Sequence, residues 1–210
     1  MKWGIRRFQK KDGTLTEAGK ERYRSIDDDK KDSDSSDPYN RETLKTELKK
    51  NGFKENKYGD YEKTLKSPDK NIEELTIRVD SDPGFSEPGM TNEELLKLTK
   101  DIETNIKSIN YDIKTQMADY AEKDQYGPWS WEDSDLSKDE LKKQFVDNLG
   151  GFPSFDDDDA VDPGYVSYRI MQDGYGEVGY DDGGAYYGHY LISEIDWKTK
   201  KLAGPYSVNG

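Results

Sequence analysis

A long apolar stripe between residues 91 and 120 constrains the fold of this chain more than any other feature. Its apolar positions are Leu95, Leu98, Ile102, Ile106, Ile109, Ile113, Met117 and Tyr120. This spacing of three or four residues predicts one amphipathic helix of about 30 residues, roughly 45 Å long. Thr91 and Glu94 form a capping box at its start. So long a stripe needs a long apolar partner, so we expect it to pack on the same chain or to form a homodimer through residues 92–123.

Shorter apolar patterns predict two further helices. The first has Asn40 as its N-cap and Gly52 just after its last turn. The second begins at a capping box formed by Ser137 and Glu140, and it ends at Gly150. Their apolar positions are Leu44, Leu48, Phe145, Val146 and Leu149. Helices this short need a packing partner, so we expect both to lie against the rest of the chain.

The remaining pattern is that of β-structure. Apolar and polar residues alternate around Leu75, Ile77 and Val79, which predicts a half-buried strand. Eight of the fifteen tyrosines lie between Tyr165 and Tyr206, where turn sequences interrupt the chain at 173–174 and 182–184. Tyrosine favours strands, so this region predicts a small antiparallel sheet.

These elements predict an α+β fold with a long central amphipathic helix, short helices and a Tyr-rich antiparallel β module. Residues 25–37 are almost entirely Asp, Ser and Lys, and such a composition predicts an acidic, disordered linker. The predicted organisation is a basic N-terminal docking module at 1–24, the linker at 25–37, a mainly helical middle at 38–151 and the β module at 160–210.

The charge of the chain is large and unevenly distributed. The formal net charge is −13, but residues 1–24 contain eight basic and three acidic residues, a local charge of +5, which leaves −18 for the rest. An acidic body repels nucleic acid and attracts basic partners, whereas a basic arm does the reverse. We therefore expect no direct DNA binding by the acidic body and a protein partner with a basic surface.

Two absences in the sequence bear on the compartment. The chain has no cysteine, which excludes disulfides and thiolate chemistry. The first residues lead into no apolar signal region, and no apolar run approaches the length that spans a bilayer. The sequence therefore predicts a protein of the cytoplasm with no membrane partner.

The sequence motifs do not point to catalysis. His189 is the only histidine, and no serine or aspartate lies at a catalytic spacing from it, so a structural role is favoured. Residues 174–179 have the glycine spacing GxGxxG of a dinucleotide-binding loop, but they follow no predicted buried strand and open no predicted helix, so we reject that function for them. We predict no catalytic residue, no cofactor and no enzymatic activity. A carboxylate-based hydrolase stays an alternative, because acidic pairs meet only in the fold.

Calcium is the metal that the acidic segments suggest. The run Asp156–Asp159 offers carboxylates, but Ala160 occupies the third ligand position of a calcium loop. The segment 173–184 also departs from the glycine-rich calcium repeat. Solvated loops are favoured, and we predict no metal ligand.

The acidic residues also have an interpretation that involves no metal. The carboxylates of the acidic run and of the polar face of the long helix could imitate the phosphates of a nucleic acid.

The first 23 residues carry a resemblance to a known module. Residues 1–23, MKWGIRRFQKKDGTLTEAGKERY, resemble a segment of phage and prophage proteins of Gram-positive bacteria that reads approximately MKWGxRRxQxxDGxLTxxGxxRY. That segment is appended to minor head proteins and to many proteins of unknown role. The resemblance implies a phage origin and a modular docking element; it covers about a tenth of the chain.

The predicted function is that of a bacteriophage-encoded, non-enzymatic protein-binding protein, either head-associated or host-directed, in the host cytoplasm or the virion. The alternative is an acidic anti-defence inhibitor of the anti-CRISPR kind, acting as a nucleic-acid mimic. The candidate partner-binding residues of the basic N-terminal module are Trp3, Arg6, Arg7, Phe8 and Tyr23. The acidic ones are Asp156, Asp157, Asp158 and Asp159.

Overall fold

The structure is a computed structural model, and it describes residues 37–67, 69–80, 89–123, 136–153, 161–186 and 188–209. The helices are α1 (Arg41–Lys50), α2 (Asn92–Ala121) and α3 (Lys138–Asn148). The strands are β1 (Lys54–Glu55), β2 (Tyr61–Lys66), β3 (Ile72–Val79), β4 (Gly151–Pro153), β5 (Val161–Ile170), β6 (Tyr175–Asp181), β7 (Tyr190–Asp196), β8 (Lys201–Leu202) and β9 (Ser207–Asn209). The predicted α+β class, with its long helix and Tyr-rich strands, is confirmed.

Within these ranges the strands form one sheet in the order β1-β2-β3-β5-β6-β7-β8, with β4 paired to β5 and β9 to β7. Every pairing between these strands is antiparallel except that of β3 with β5. Parallel neighbours need a long crossover connection, and the segment containing α2 and α3 provides it. The parallel pairing joins two antiparallel meanders, one from each half of the chain.

Alternation along the strands divides the sheet into two faces. On β3, Leu75, Ile77 and Val79 are buried while Thr76 and Arg78 are partly exposed. The neighbouring strands continue this pattern, so one face is apolar and carries the helices; we call it the helix-covered face. The outward residues of β2, β3, β5, β6 and β7 form the open face, on which no described helix packs. They are Glu62, Thr64, Thr76, Arg78, Ser167, Arg169, Glu177, Gly179, Ile192 and Glu194.

Helix α2 lies on the helix-covered face through its predicted stripe. Leu95, Ile102, Ile109, Ile113 and Met117 are buried, and Leu98, Ile106 and Tyr120 are partly buried against the same core. The predicted capping box is present, with the Thr91 hydroxyl accepting from the backbone N–H of Glu94. The helix is kinked at Asn105, whose φ of −112° and ψ of 22° are not helical. The kink was not predicted from the apolar period, which continues through it.

The two shorter helices also follow their predicted caps. Asn40 caps α1 by accepting from the backbone N–H of Thr43 at 2.9 Å. Gly52, with φ of +86°, reverses the chain, and the N–H of Phe53 bonds to the carbonyl of Leu48 as in a Schellman motif. The predicted capping box of Ser137 opens α3.

The predicted division between 38–151 and 160–210 is not a structural boundary. β3 from the first segment pairs with β5 from the second, and buried residues of both form a single hydrophobic core. The apolar stripe of α2 is covered within the chain, so the structure gives no support for a homodimer through residues 92–123. The predicted module at 1–24 and nearly all of the predicted linker lie outside the described residues.

Candidate functional site

The predicted partner-binding residues cannot be placed by the structure. Trp3, Arg6, Arg7, Phe8 and Tyr23 lie outside the described residues, and so do the four acids of 156–159. They stay predictions. The described residues contain two other candidate sites, a charged row on the open face and a lysine-lined cleft beside α2.

The charged row crosses the middle of the open face. Strand register places its members side by side on consecutive strands, in the order Glu62, Arg78, Arg169, Glu177 and Glu194. The Nε of Arg78 donates to the Glu62 carboxylate at 2.8 Å, and the Nη2 of Arg169 donates to that of Asp80 at 2.9 Å. With Asp80 included, four carboxylates surround two guanidinium groups, so the row has a charge of −2.

The same row contains local conflicts. Arg78 lies directly opposite Arg169, and Glu177 lies directly opposite Glu194. Like charges at opposed positions destabilise a sheet. The Nε of Arg169 is also buried, with no hydrogen-bond acceptor among the described residues, which costs about 1–3 kcal/mol for a neutral donor and more for a charged one. The row is therefore not arranged for maximal stability.

Beside the row, Tyr190 closes part of the open face. Its ring passes over Gly179, where a Cβ atom would collide with it, and its hydroxyl bonds to the hydroxyl of Ser167 at 2.8 Å. Burial raises the pKa of Tyr190. The hydroxyl therefore stays protonated near neutral pH, as a hydrogen-bonding group at the edge of the charged row.

The second site is a cleft of about 330 Å³ beside α2. Helix α2 contributes Lys107, Asn110, Tyr111 and Lys114, whose spacing of three and four residues places them on one side of the helix. Its other lining residues are Asp69 and Lys70 from the loop after β2, and Val146 and Asp147 from α3. Three parts of the chain that are distant in sequence therefore meet there.

A polar network buried under the helix supports this cleft. The hydroxyls of Tyr168 and Tyr180 each lie 2.9 Å from the Oδ1 of Asn110 and 2.7 Å from one another. Because Oδ1 accepts from the phenols, the amide Nδ2 of Asn110 points to Asp69, to which it donates at 3.2 Å. Burial raises the pKa of Tyr168 and of Tyr180, so both phenols remain protonated donors.

Lys114 is the most unusual residue of the cleft. Only 2% of it is exposed, and its Nζ donates to the Oδ2 of Asp69 at 2.9 Å. Burial lowers the pKa of Lys114, although the hydrogen bond and the charge of Asp69 act in the opposite direction. A buried, charge-paired lysine in a cleft is a common mark of a functional site.

His189, by contrast, belongs to a structural loop. Its backbone N–H donates to the Oδ2 of Asp182 at 3.0 Å. The buried Asp182 carboxylate also accepts from the backbone N–H groups of Gly184, Tyr186 and Gly188. Four donors therefore point at this carboxylate, an environment that orders the loop and does not suit a cation.

Neither a metal cluster nor a membrane segment is found in the described ranges. No three His, Cys, Asp or Glu side chains lie close enough there to hold a metal ion, and none of the described helices is long and apolar enough to cross a bilayer. Comparison with protein-family models, with curated proteins and with solved structures found no match.

Sequence reasoning missed both candidate sites. The residues at 107, 110, 111 and 114 were part of the polar face of a predicted helix, where lysine and asparagine are ordinary. The available signal was weak: Asn110 and Lys114 each directly follow a residue of the apolar stripe. That position is at the border of the buried face, where a polar side chain needs a partner.

Proposed function

We propose that this chain is a bacteriophage-encoded, non-enzymatic protein-binding protein whose open sheet face binds a protein with a basic surface. The observation that carries the proposal is the charged row of Glu62, Arg78, Arg169, Glu177 and Glu194. Its opposed like charges and the unsatisfied Nε of Arg169 lower stability locally. Such conflicts are expected at functional sites, where binding is favoured over stability.

The chemistry of the row supports a basic protein partner. Four carboxylates outnumber the two arginines, and the chain outside residues 1–24 has a charge of −18. Arginine and tyrosine are enriched in protein interfaces, and Arg78, Arg169 and Tyr190 lie together around one small depression on the face. A partner with alternating lysine or arginine groups would relieve the repulsion between Glu177 and Glu194.

The phage origin rests on the sequence resemblance of residues 1–23. Within it, a head-associated role and a host-directed role are both compatible with a docking module joined to a binding domain. A head-associated protein would be found in the virion, whereas a host-directed one would act in the host cytoplasm.

The long helix gives little support to the alternative function, in which the acidic chain imitates a nucleic acid. Three acids of its polar face pair with lysines of the same chain: Asp101 with Lys200, Glu103 with Lys63 and Asp119 with Lys142. Further lysines lie on the same helix, at 97, 100 and 107. A phosphate-like track needs repeated charges that are not neutralised, and this face does not offer them.

A hydrolase would need two carboxylates that face a substrate. Asp69 and Asp147 do line one cleft, but each is engaged with a lysine, Asp69 with Lys114 and Asp147 with Lys143. Their oxygens serve as ion-pair acceptors, which supports a binding function for the cleft above a hydrolytic one.

The experiment compares two pairs of charge-removing variants in capture of a partner from phage-infected host cells, followed by affinity measurement with the purified partner. Glu177→Gln with Glu194→Gln should weaken binding about tenfold, because two rim charges are lost, while stability stays equal or rises. Asp112→Asn with Glu122→Gln removes the same charge from exposed positions of α2 and its C-terminal cap. This control should bind like the wild type.

Equal binding by the two variant pairs would contradict the open-face proposal. Deletion of residues 1–24 tests the docking module separately, and we expect it to abolish localisation or binding with little change in the thermal melting of the remainder. A steep fall of affinity with salt, together with competition by the partner's own DNA or RNA, would favour the mimic instead.

A further inference from the structure

The lysine-lined cleft has hydrogen-bonding capacity that the protein does not use. A lysine ammonium group carries three N–H donors. Lys114 is buried, and in the described part of the chain its Nζ has one acceptor, the Oδ2 of Asp69. Two N–H donors of a buried cation therefore have no acceptor among the described residues, next to a cleft of about 330 Å³. Burial of these donors lowers the stability of the fold unless a molecule in the cleft accepts hydrogen bonds from them.

Asp69 is already engaged by three donors. Its Oδ1 accepts from the backbone N–H of Asn71 at 3.0 Å, and its Oδ2 already accepts from both Asn110 and Lys114. Asn110 is held in orientation by the two buried phenols, so its carbonyl oxygen points away from the cleft. The network therefore holds the Lys114 ammonium group in place, and further acceptors for it would have to come from a molecule in the cleft.

The charge of the cleft points in the same direction. Besides Lys114, the exposed residues Lys70 and Lys107 line it, and the ammonium group of neither forms an ion pair or a hydrogen bond in the described ranges. Asp147 is balanced by Lys143 at 2.6 Å. Three ammonium groups against the carboxylate of Asp69 leave an excess of two positive charges, in a protein whose net charge is −13.

We propose that this cleft is a binding site for a small phosphate monoester, with Lys70, Lys107 and Lys114 as ligands of the phosphate group. A phosphate monoester carries close to two negative charges at neutral pH and three acceptor oxygens. It therefore matches both the excess charge and the unused donors better than a carboxylate, which carries one charge and two oxygens.

The mouth of the cleft suggests where the organic part of the ligand would lie. Tyr111 lines the cleft one turn from Lys107 and from Lys114, and 61% of it is exposed. An exposed aromatic ring beside an anion site offers an apolar surface to the group esterified to the phosphate. The volume of about 330 Å³ is at the small end of ligand sites, so the ligand is a small molecule rather than a polymer.

The site is independent of the open face, because its residues come from α2, α3 and the loop after β2, on the other side of the sheet. Binding there does not require the proposed protein partner. Failure of one proposal therefore leaves the other intact.

The test is calorimetric titration of the full chain with inorganic phosphate and with phenyl phosphate at fixed ionic strength. Both should bind at one site, phenyl phosphate more tightly because its ring contacts Tyr111. Lys107→Gln and Lys70→Gln should each weaken binding about tenfold, the effect of losing one charged hydrogen bond. Both positions are exposed, so these variants keep the fold.

The matched control is Lys100→Gln, an exposed lysine of the same helix that does not line the cleft. It changes the net charge equally and should bind within about twofold of the wild type. Equal weakening by Lys100→Gln and Lys107→Gln would reduce the effect to general charge attraction and overturn the proposal. Titration heats for phosphate that do not differ from those for chloride would also overturn the proposal, because water alone would then accept from Lys114.

Discussion

The two faces of the sheet differ in what their residues contribute, although the same strands supply both. On the helix-covered face, side chains such as Leu75, Tyr168 and Ile195 are fully buried, and the hydroxyl of Tyr168 lies within hydrogen-bonding distance of that of Tyr180. On the open face, Arg78 and Arg169 stand side by side and remain about 40% exposed. Packing therefore accounts for the residues of the helix-covered face, whereas the exposed charges of the open face are the ones that the proposed function assigns to partner binding.

The comparison is sharpest for the same substitution on each face. Ile109→Asp places a charge in the contact between α2 and the sheet, and we expect a loss of about 4 kcal/mol or no cooperative folding. Ile192→Asp introduces the same group on the open face, where the side chain is only partly buried, and should cost about 1 kcal/mol. Urea unfolding followed by circular dichroism measures both. Similar losses for the two variants would show that the open face is packed as tightly as the other.

The buried phenols predict a loss of stability at alkaline pH. Folding raises the pKa of Tyr168 and Tyr180 through burial, whereas both titrate near 10 in the unfolded chain. Their contribution is therefore complete below about pH 10 and is lost as pH rises above it, by up to about 1.4 kcal/mol per pH unit for each phenol. Lys114 acts oppositely, because its lowered pKa lets stability rise with pH until about 10.4, the unfolded value, and no further.

Unfolding curves between pH 8 and 11.5 test this balance. Tyr180→Phe should cost about 1–2 kcal/mol at neutral pH and make the alkaline decline shallower. Tyr175→Phe, at an exposed position, should change neither. An unchanged alkaline slope in Tyr180→Phe would contradict the assignment of the decline to the buried network.

The smallest effect is expected on the open face. Arg169→Gln removes the unsatisfied Nε and the repulsion from Arg78, but it also removes partly exposed ion pairs with Asp80 and Glu177. These terms nearly cancel, so the free energy of unfolding should change by less than about 0.5 kcal/mol. A loss above 2 kcal/mol would assign the charged row to the stability of the fold rather than to binding.

Local patterns in the sequence determined the helices and most of the turns. The caps at Asn40, Thr91 and Ser137 and the reversal at Gly52 depend on residues within a few positions, so their chemistry could be predicted without the fold. The stripe of α2 was predicted for the same reason, since a helical face follows from spacing alone.

Only the tertiary structure decided how distant segments meet. The parallel pairing of β3 with β5 brings Arg78 beside Arg169, and the packing of α2 brings Asn110 and Lys114 to Asp69. No local spacing encodes these neighbours, because they depend on strand order and register across intervening stretches of 40 residues or more. Hydrophobic burial, which is not directional, selects the faces that pack; the polar side chains at the borders then acquire their partners from whichever segment the fold places there.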